Sequence, residues 1–387
     1  MFNHIFKLIW KKKKSNFLMM LEIFMSFIIL FAVWSLSVYT YRNYAMPLGL
    51  STDNVWTVYL DFNTQSDSVQ ARSRGLVYQT MKGIREIESF AFTSNMVPYG
   101  FSSANSSFST HGREAMSNMF DVDPAYPAVL GLKMLSGRWF TPEDTLGKLK
   151  PVVITRHLAE ELFGGEDAVG KILGEEKDAD QKKVMGVVDY FRHKSSFQTD
   201  DNSIFLPAGN ESINLLLKLS GPQNADFEAR LAKTLQQAGK NWTVEIQHLD
   251  NMQATQDKLV LIPILILFIL CGFLVFNVGL GLFGVLFQNI SRRKGEIGLR
   301  RAVGATRSQI LAYFIGETLV IASFAVVLGV FFAIQAPLLN LFDVEASVYF
   351  IGILLAMASV YGITILCAFY PSWQAAAIYP AVALHEE

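Results

Sequence analysis

Four long, predominantly apolar runs, residues 17–41, 258–287, 310–336 and 348–369, constrain this chain more than any other feature. Each has the ~20 apolar residues that a helix needs to cross a bilayer. The last three follow one another through short loops, whereas a long polar tract separates the first from the second. A chain patterned in this way is a membrane protein of four transmembrane α-helices with one large aqueous domain. Composition agrees: 51% hydrophobic and 17% charged residues with mean hydropathy +0.29 lie between a soluble and an all-membrane chain. Net charge of −1 implies no nucleic-acid partner. Cys271 and Cys367 fall in apolar runs, so the polar part has no disulfide framework.

The first run follows Lys7 and Lys11 to Lys14 with no acid before it, which places the N-terminus inside by the positive-inside bias. Phe2, Ile5, Phe6, Ile9 and Trp10 recur at helical spacing, so residues 1–16 read as a cationic amphipathic helix in the inner-leaflet interface. A cleaved signal peptide is the rival reading. Its apolar core is usually ~7–15 residues and ends at a small-x-small site, and neither holds here.

Residues 45–257 read as an extracytoplasmic α+β domain; between 45 and 255 they carry 26 acids against 20 bases. Alternation and periodicity predict a strand at 55–62, a helix at 67–88 and a strand at 90–93, then again a strand at 213–220, a helix at 226–238 and a strand at 242–248. Two βαβ-like halves, about 50–96 and 211–250, would thus flank an insertion of about 97–210. Within it, the polar stretch 102–112 reads as a loop.

Between the second and third runs lies a basic island, SRRKGEIGLRRAVGATRSQ, residues 291–309, within the cytoplasmic loop 288–309. Its six cations, Arg292, Arg293, Lys294, Arg300, Arg301 and Arg307, stand against the single acid Glu296. Gly295 is expected to interrupt the arriving helix. A short helix over 296–303 follows, with Glu296 near its positive end, Arg300 and Arg301 near its negative end, and Gly304 to stop it. Thr306 and Gln309 form a capping box for the next helix. Asp343 and Glu345, with no cation nearby, put the loop after the third span outside, and span parity returns the tail, 370–387, to the inside.

Two acids sit inside spans, Glu22 in the first and Glu317 in the third, and an intramembrane acid is a functional candidate by default. Both lie close to the cytoplasmic ends, which favours structural anchoring. Gly272, Gly279, Gly281 and Gly284 in the second span would permit close helix approach. GEDAVGK, residues 165–171, satisfies part of a phosphate-binding loop, but Ile172 replaces the metal-binding Ser/Thr and a helix-like segment precedes it. It reads as a turn. His111, His157, His193 and His248 show no metal-ligand or catalytic spacing, so no catalytic, cofactor or metal site is assigned.

The string GEIGLRRAVGATRSQI resembles the cytoplasmic loop of MacB/FtsX-type ABC transporter permeases. LGLKMLSGRWFTPED (130–144), PVVITRHLAEELFGGEDAVGKIL (151–173) and VMGVVDYFRHKSSF (184–197) are similar, in the same order, to the periplasmic core domain of that family. The tail has the family's spaced prolines and alanines but carries Trp373 and Gln374 where basic residues are usual. The resemblance implies a porter subdomain with an inserted sabre-like subdomain. It also implies a coupling helix, Glu296, Ile297, Gly298, Leu299, Arg300, Arg301, Ala302, Gly304 and Thr306, that docks on a cytoplasmic ABC ATPase. ATP would be used by that separate ATPase, since no nucleotide-binding domain is visible in the chain. A second permease, identical or paralogous, would complete the transporter in the bacterial inner membrane, with both termini cytoplasmic and the large domain periplasmic. The implied mechanism is mechanotransmission, and the implied task is export of peptides, antibiotics or other amphiphiles with a membrane-fusion protein and an outer-membrane channel. Lipoprotein release, or activation of a periplasmic partner without transport, are the alternatives.

Overall fold

The computed structural model describes residues 13–62, 66–110, 112–174, 181–199, 201–209, 212–239 and 242–377. Most of the predicted amphipathic helix and the end of the tail, residues 1–12 and 378–387, fall outside them, as does His111. The chain opens with α1 (Lys13–Ala45), β1 (Val55–Asp61), α2 (Asp67–Lys82), β2 (Ile87–Thr93), β3 (Asn105–Thr110), β4 (Arg113–Val122), α3 (Tyr126–Leu130) and β5 (Met134–Gly137). There follow β6 (Lys150–Thr155), α4 (Arg156–Phe163), β7 (Ile172–Leu173), β8 (Lys182–Val188), β9 (Ser203–Pro207), β10 (Asn214–Leu219), α5 (Ala225–Ala238) and β11 (Thr243–His248). The last part is helical: α6 (Leu249–Ser291), α7 (Lys294–Ala302), α8 (Arg307–Ala333), α9 (Gln335–Leu338) and α10 (Ala346–Ala376). Two compact units result, Asn43–Leu261 and the union of Met1–Arg42 with Ile262–Glu387.

In the first unit the strands form one sheet in the order β11-β1-β10-β2-β4-β9-β6-β8-β5, with β3 on β4 and β7 on β8. The two predicted halves are interleaved rather than side by side. β1 pairs antiparallel with both β10 and β11, and β10 pairs antiparallel with β2. Each strand-helix-strand piece therefore holds a strand of the other between its own two, the split βαβ arrangement. Side chains alternate accordingly. Trp56, Val58, Leu60, Leu215, Leu217 and Leu219 enter one core with Phe227, Leu231 and Leu235 of α5, while Val55, Ala91 and Leu216 enter another with Tyr126, Phe191 and Phe205. Both faces are covered, which explains why β10 reads as a nearly continuous apolar run. α2 ends at Lys82, short of the predicted residue 88, because Gly83 stops it and Ile87 already pairs with Leu219.

The insertion has its own core of Val152, Ile154, Leu158, Leu162, Val184 and Ile204. The expectation of a loop at 102–112 is corrected: Asn105–Thr110 is a strand paired along its length with β4. Phe108 packs on the insertion core while Ser106 and Ser107 stay exposed. A polar strand needs only a partner and one anchoring side chain on the buried face, which composition does not reveal.

In the second unit, α1 presents Met19, Ile23, Phe27, Leu30 and Val33 to Ile321, Ala322, Ala325 and Val326 of α8 and to Ile353, Ala356 and Val360 of α10. That spacing is one helical face. Glycines let α1 in closely: a Cβ on Gly329 would lie 2.3 Å from Phe27, and one on Gly352 2.3 Å from Ser35 Oγ. The four glycines expected to act this way in the second span behave unequally. A Cβ on Gly281 would meet Glu22 and one on Gly279 Cys367, whereas one on Gly272 or Gly284 would meet nothing within 4 Å among the described residues. Trp34 Nε1 donates to Ser359 Oγ at 3.0 Å, and at the end of α1 Arg42 pairs with Glu345 at 2.9 Å. The end of α1 and the loop before α10 thus share one end of the bundle. Among the described residues, four helical stretches, Phe17–Ala45, Leu249–Ser291, Arg307–Leu338 and Ala346–Gln374, are long and apolar enough to cross a membrane.

Candidate functional site

The basic island folds into a short helix with defined ends. α7 begins at Lys294, so Gly295 lies inside it, and the break expected at Gly295 falls instead at the turn Arg292–Arg293. One turn of helix tolerates a glycine, and the arriving helix already loses its ladder at Ser291. The far end behaves as the spacing predicts. Gly304 takes φ 102, its N–H donates to Arg301 O at 3.1 Å, and Ala305 N–H donates to Arg300 O at 3.0 Å. These are the two bonds of a Schellman stop. Thr306 and Gln309 then exchange both bonds of a capping box at the start of α8.

Faces matter more than charge in this helix. Ile297 and Gly298 are buried, with Ile297 packed among Ile290, Ile310, Phe314 and Ala376. Arg300 is engaged within the chain: it pairs with Glu296 at 2.6 Å and lies 4.2 Å over the Tyr313 ring. Arg301 is half-buried. Ala302, Gly304 and Thr306 are exposed, and so are two large apolar side chains, Leu299 at 59% and Val303 at 83%. The helix therefore exposes an apolar edge framed by caps, while Arg300 is engaged by Glu296 and Tyr313 of the same chain.

Each intramembrane acid has a definite contact. Glu317 Oε2 accepts from Arg293 Nη1 at 2.7 Å, both side chains being largely buried. This pair pins the turn that leads into α7 against α8. Met19, Ile290, Phe314 and Ile321 surround it, beside a cavity of about 30 Å³. Glu22 rests on the backbone of α6, where a Cβ on Gly281 would stand 2.1 Å from Glu22 Oε1. Sequence reasoning counted Arg293 only as one of six cations; a cation and an acid at the same depth of neighbouring helices was the available signal.

In the domain Asn43–Leu261, GEDAVGK is the turn between α4 and β7. Gly165 and Gly170 take φ 87 and 84, and Lys171 pairs with Glu166 at 2.5 Å rather than facing an open anion cradle. His193 is buried, stacked on Phe191 and edge-on to Phe120; burial pushes it down to about 4. His248 stacks on Trp56 and meets Glu228 at 3.1 Å, and His157 is exposed on α4. Two residues that sequence reasoning passed over, Arg192 and Asp257, hold the loop after β8: Arg192 donates to the carbonyls of Asn43, Met46, Ser196 and Gln198, and Asp257 accepts from Ser195 and Ser196.

Residues 17–261 match the MacB-like periplasmic core domain and residues 264–380 the FtsX-like permease C-terminal domain. The macrolide export ATP-binding/permease protein MacB of Rhodopseudomonas palustris (strain HaA2) is 30% identical over 300 residues, covering 71% of this chain and 44% of that protein. The uncharacterized ABC transporter permease YknZ of Bacillus subtilis (strain 168) is 25% identical over 236 residues, 57% of each chain. The pyoverdine export ATP-binding/permease protein PvdT of Pseudomonas syringae pv. syringae (strain B728a) is 26% identical over 290 residues, 68% of this chain and 42% of that one. The chain spans about half the length of the curated relatives it matches. Among solved structures, the periplasmic region of MacB from Actinobacillus actinomycetemcomitans aligns with TM-score 0.37 at 19% identity, covering 54% of this chain and 94% of that one. The chain belongs to the family of ABC transporter permeases that join a MacB-like periplasmic core domain to an FtsX-like permease domain.

Proposed function

We propose that this permease converts ATP hydrolysis on a cytoplasmic ABC ATPase into movement of its ectodomain, and that α7 is the docking element. The observation that carries the reading is the exposed apolar edge of Leu299, Ala302 and Val303 on a helix stopped at one end by Gly304 and pinned at the other through Arg293–Glu317. Exposed apolar side chains on an otherwise anchored helix fit a protein partner. With α7 inside the cell, both termini are cytoplasmic, the domain Asn43–Leu261 is periplasmic, and α6 is the lever that joins them. A second permease subunit completes the transporter. Its task is export of amphiphilic molecules, supported by the names of relatives that export macrolides and pyoverdine. In that setting a membrane-fusion protein and an outer-membrane channel continue the path.

The test is co-expression with an ABC ATPase of the same organism that copurifies with the permease. Leu299→Glu with Val303→Glu should leave the permease folded in the membrane yet abolish copurification with the ATPase and stimulation of its ATP turnover. Unchanged assembly and stimulation in the double variant would overturn the reading.

A further inference from the structure

We propose that the loop from Phe191 to Phe197, with Arg192 and Asp257 as its positioning residues, is the joint that fixes the end of α1 to the beginning of α6 and passes their movement to the inserted subdomain. The proposal deepens the coupling reading above and rests on it for its functional meaning. Its geometry lies entirely within Asn43–Leu261.

On the α1 side, Arg192 is 1% exposed, and its guanidinium donates from Nη1 to Asn43 O at 2.7 Å and Met46 O at 3.1 Å. Its own N–H donates to Leu48 O at 3.0 Å. A fixed cation against the last carbonyls of a helix is favoured by the helix dipole as well as by the hydrogen bonds. Asn43 Nδ2 in turn donates to Phe197 O at 3.2 Å, and the Tyr44 and Phe197 rings stack at 5.2 Å. The chain leaving α1 lies so close to this loop that a Cβ on Gly49 would stand 1.9 Å from Tyr190 O, and Gly49 also has φ 77. Only glycine fits there.

The α6 side meets the same loop. Asp257 accepts from Ser195 Oγ at 2.7 Å, from Ser196 N–H at 2.7 Å and from Ser196 Oγ at 2.8 Å. Gln253, one turn earlier, donates to Ser196 Oγ at 2.9 Å and accepts from Thr52 Oγ1 at 3.0 Å. Arg192 holds the loop in shape between the two helices by donating to Ser196 O at 2.7 Å and to Gln198 O at 2.5 Å.

A physical consequence follows from the chemistry. Apolar contacts slide, whereas buried, directional and charge-assisted hydrogen bonds either hold or break. A change in the separation of α1 and α6 must therefore carry the loop with one of them or rupture one bond set. The loop continues β8 and leads toward β9, both strands of the inserted subdomain. Motion entering through the two helices thus reaches the insertion through Arg192 and Asp257, besides the covalent path into β1 and β11.

The experiment uses the full chain in nanodiscs, with Cys271 and Cys367 replaced by Ser and nitroxide labels at Met46→Cys and Lys258→Cys, two exposed positions. Pulsed dipolar spectroscopy should give one narrow label-to-label distance. Asp257→Asn, which keeps hydrogen bonds to both serines, should retain it. Asp257→Leu, of similar size without those bonds, and Arg192→Met should lose it, while circular dichroism stays unchanged. If Asp257→Leu fails to fold, Ser195→Ala with Ser196→Ala removes only the hydroxyls and should broaden the distribution. A narrow, unshifted distance in Asp257→Leu or in the double serine variant would overturn the joint. No ATPase enters this measurement, so it can fail while the α7 docking test succeeds, and the reverse.

Discussion

The Arg293 guanidinium stands 2.7 Å from the Glu317 carboxylate, an ion pair that closes the space between the turn before α7 and the third apolar helix. Breaking a buried pair leaves the remaining charge without compensation, at a cost of about 3–5 kcal/mol. Glu317→Gln should therefore lower the thermal unfolding temperature of the purified permease and weaken its hold on the ATPase together. The exchange Arg293→Glu with Glu317→Arg should recover much of both. A stable but inactive Glu317→Gln protein that the exchange does not rescue would instead assign Glu317 to cargo or proton handling.

The second acid gives a prediction of opposite form. Gly281 leaves room for Glu22, since a Cβ there would lie 2.1 Å from its carboxylate oxygen. Gly281→Ala should cost less than the ~1–3 kcal/mol usual for forcing extra atoms into a packed site, because the atoms it meets are the far end of the flexible Glu22 side chain, which can swing aside. Glu22→Ala in the same chain should relieve most of that loss. The coupling is read as a double-mutant cycle on thermal unfolding in detergent. Additive effects would mean that the two residues do not touch.

These contacts mark the limit of what could be read beforehand. The four spans, the Gly304 stop and the Thr306–Gln309 box were legible because each depends on a few neighbouring residues. Interleaving of β1 with β10 and β11 was not, because identical strand-helix-strand patterns arise whether two halves stand apart or interlock. The strand Asn105–Thr110 was hidden by its serines, whose pairing with β4 supplies the order that composition lacks. Gly295 misled because a glycine breaks a helix only where its neighbours allow it. Arg192 and Asp257 were passed over for a related reason: the carbonyls and hydroxyls that explain them come from other parts of the chain. The cations of the basic island were read as marking its side of the membrane and the ends of its helix, yet Arg293 and Arg300 are both committed to partners within the chain.

Acid should weaken the ectodomain through His193. Burial is the largest cause that pushes this imidazole down to about 4 from 6.5, with Lys194 acting in the same direction and Asp201 and the Phe191 backbone opposing. The folded state thus binds fewer protons than the unfolded one between these values, so stability rises with pH across that window. It is fully present above about 6.5 and is lost as pH falls toward 4, by up to roughly 3 kcal/mol for this one group. His193→Phe should flatten the dependence, since the ring lies against Phe191 and Phe120 and Nε2 has no hydrogen-bond partner among the described residues. Unfolding temperatures of both proteins at pH 7 and pH 5 decide the matter. Equal losses in the two would assign the acid sensitivity to other groups.

The last prediction concerns the lever. α6 runs from Leu249 to Ser291 as one helix, with Pro263 inside it, and begins where β11 ends. A continuous helix can transmit displacement, whereas a Gly/Ser linker behaves as a flexible coil and dissipates it. The position of a flexible insert is critical, because Gln253 and Asp257 are both bonded to Ser196 and an insert before them would disrupt that loop as well. Placing a short Gly/Ser insert after Lys258 leaves those bonds intact and interrupts only the helix beyond. The protein should still fold, reach the membrane and bind the ATPase through α7, and ATP turnover should continue. Export of a reporter amphiphile should be lost, measured as restored sensitivity of cells to that compound. Full export with the insert in place would mean that cargo moves through or between the spans without mechanical work on the ectodomain, and α6 would then serve only as an anchor.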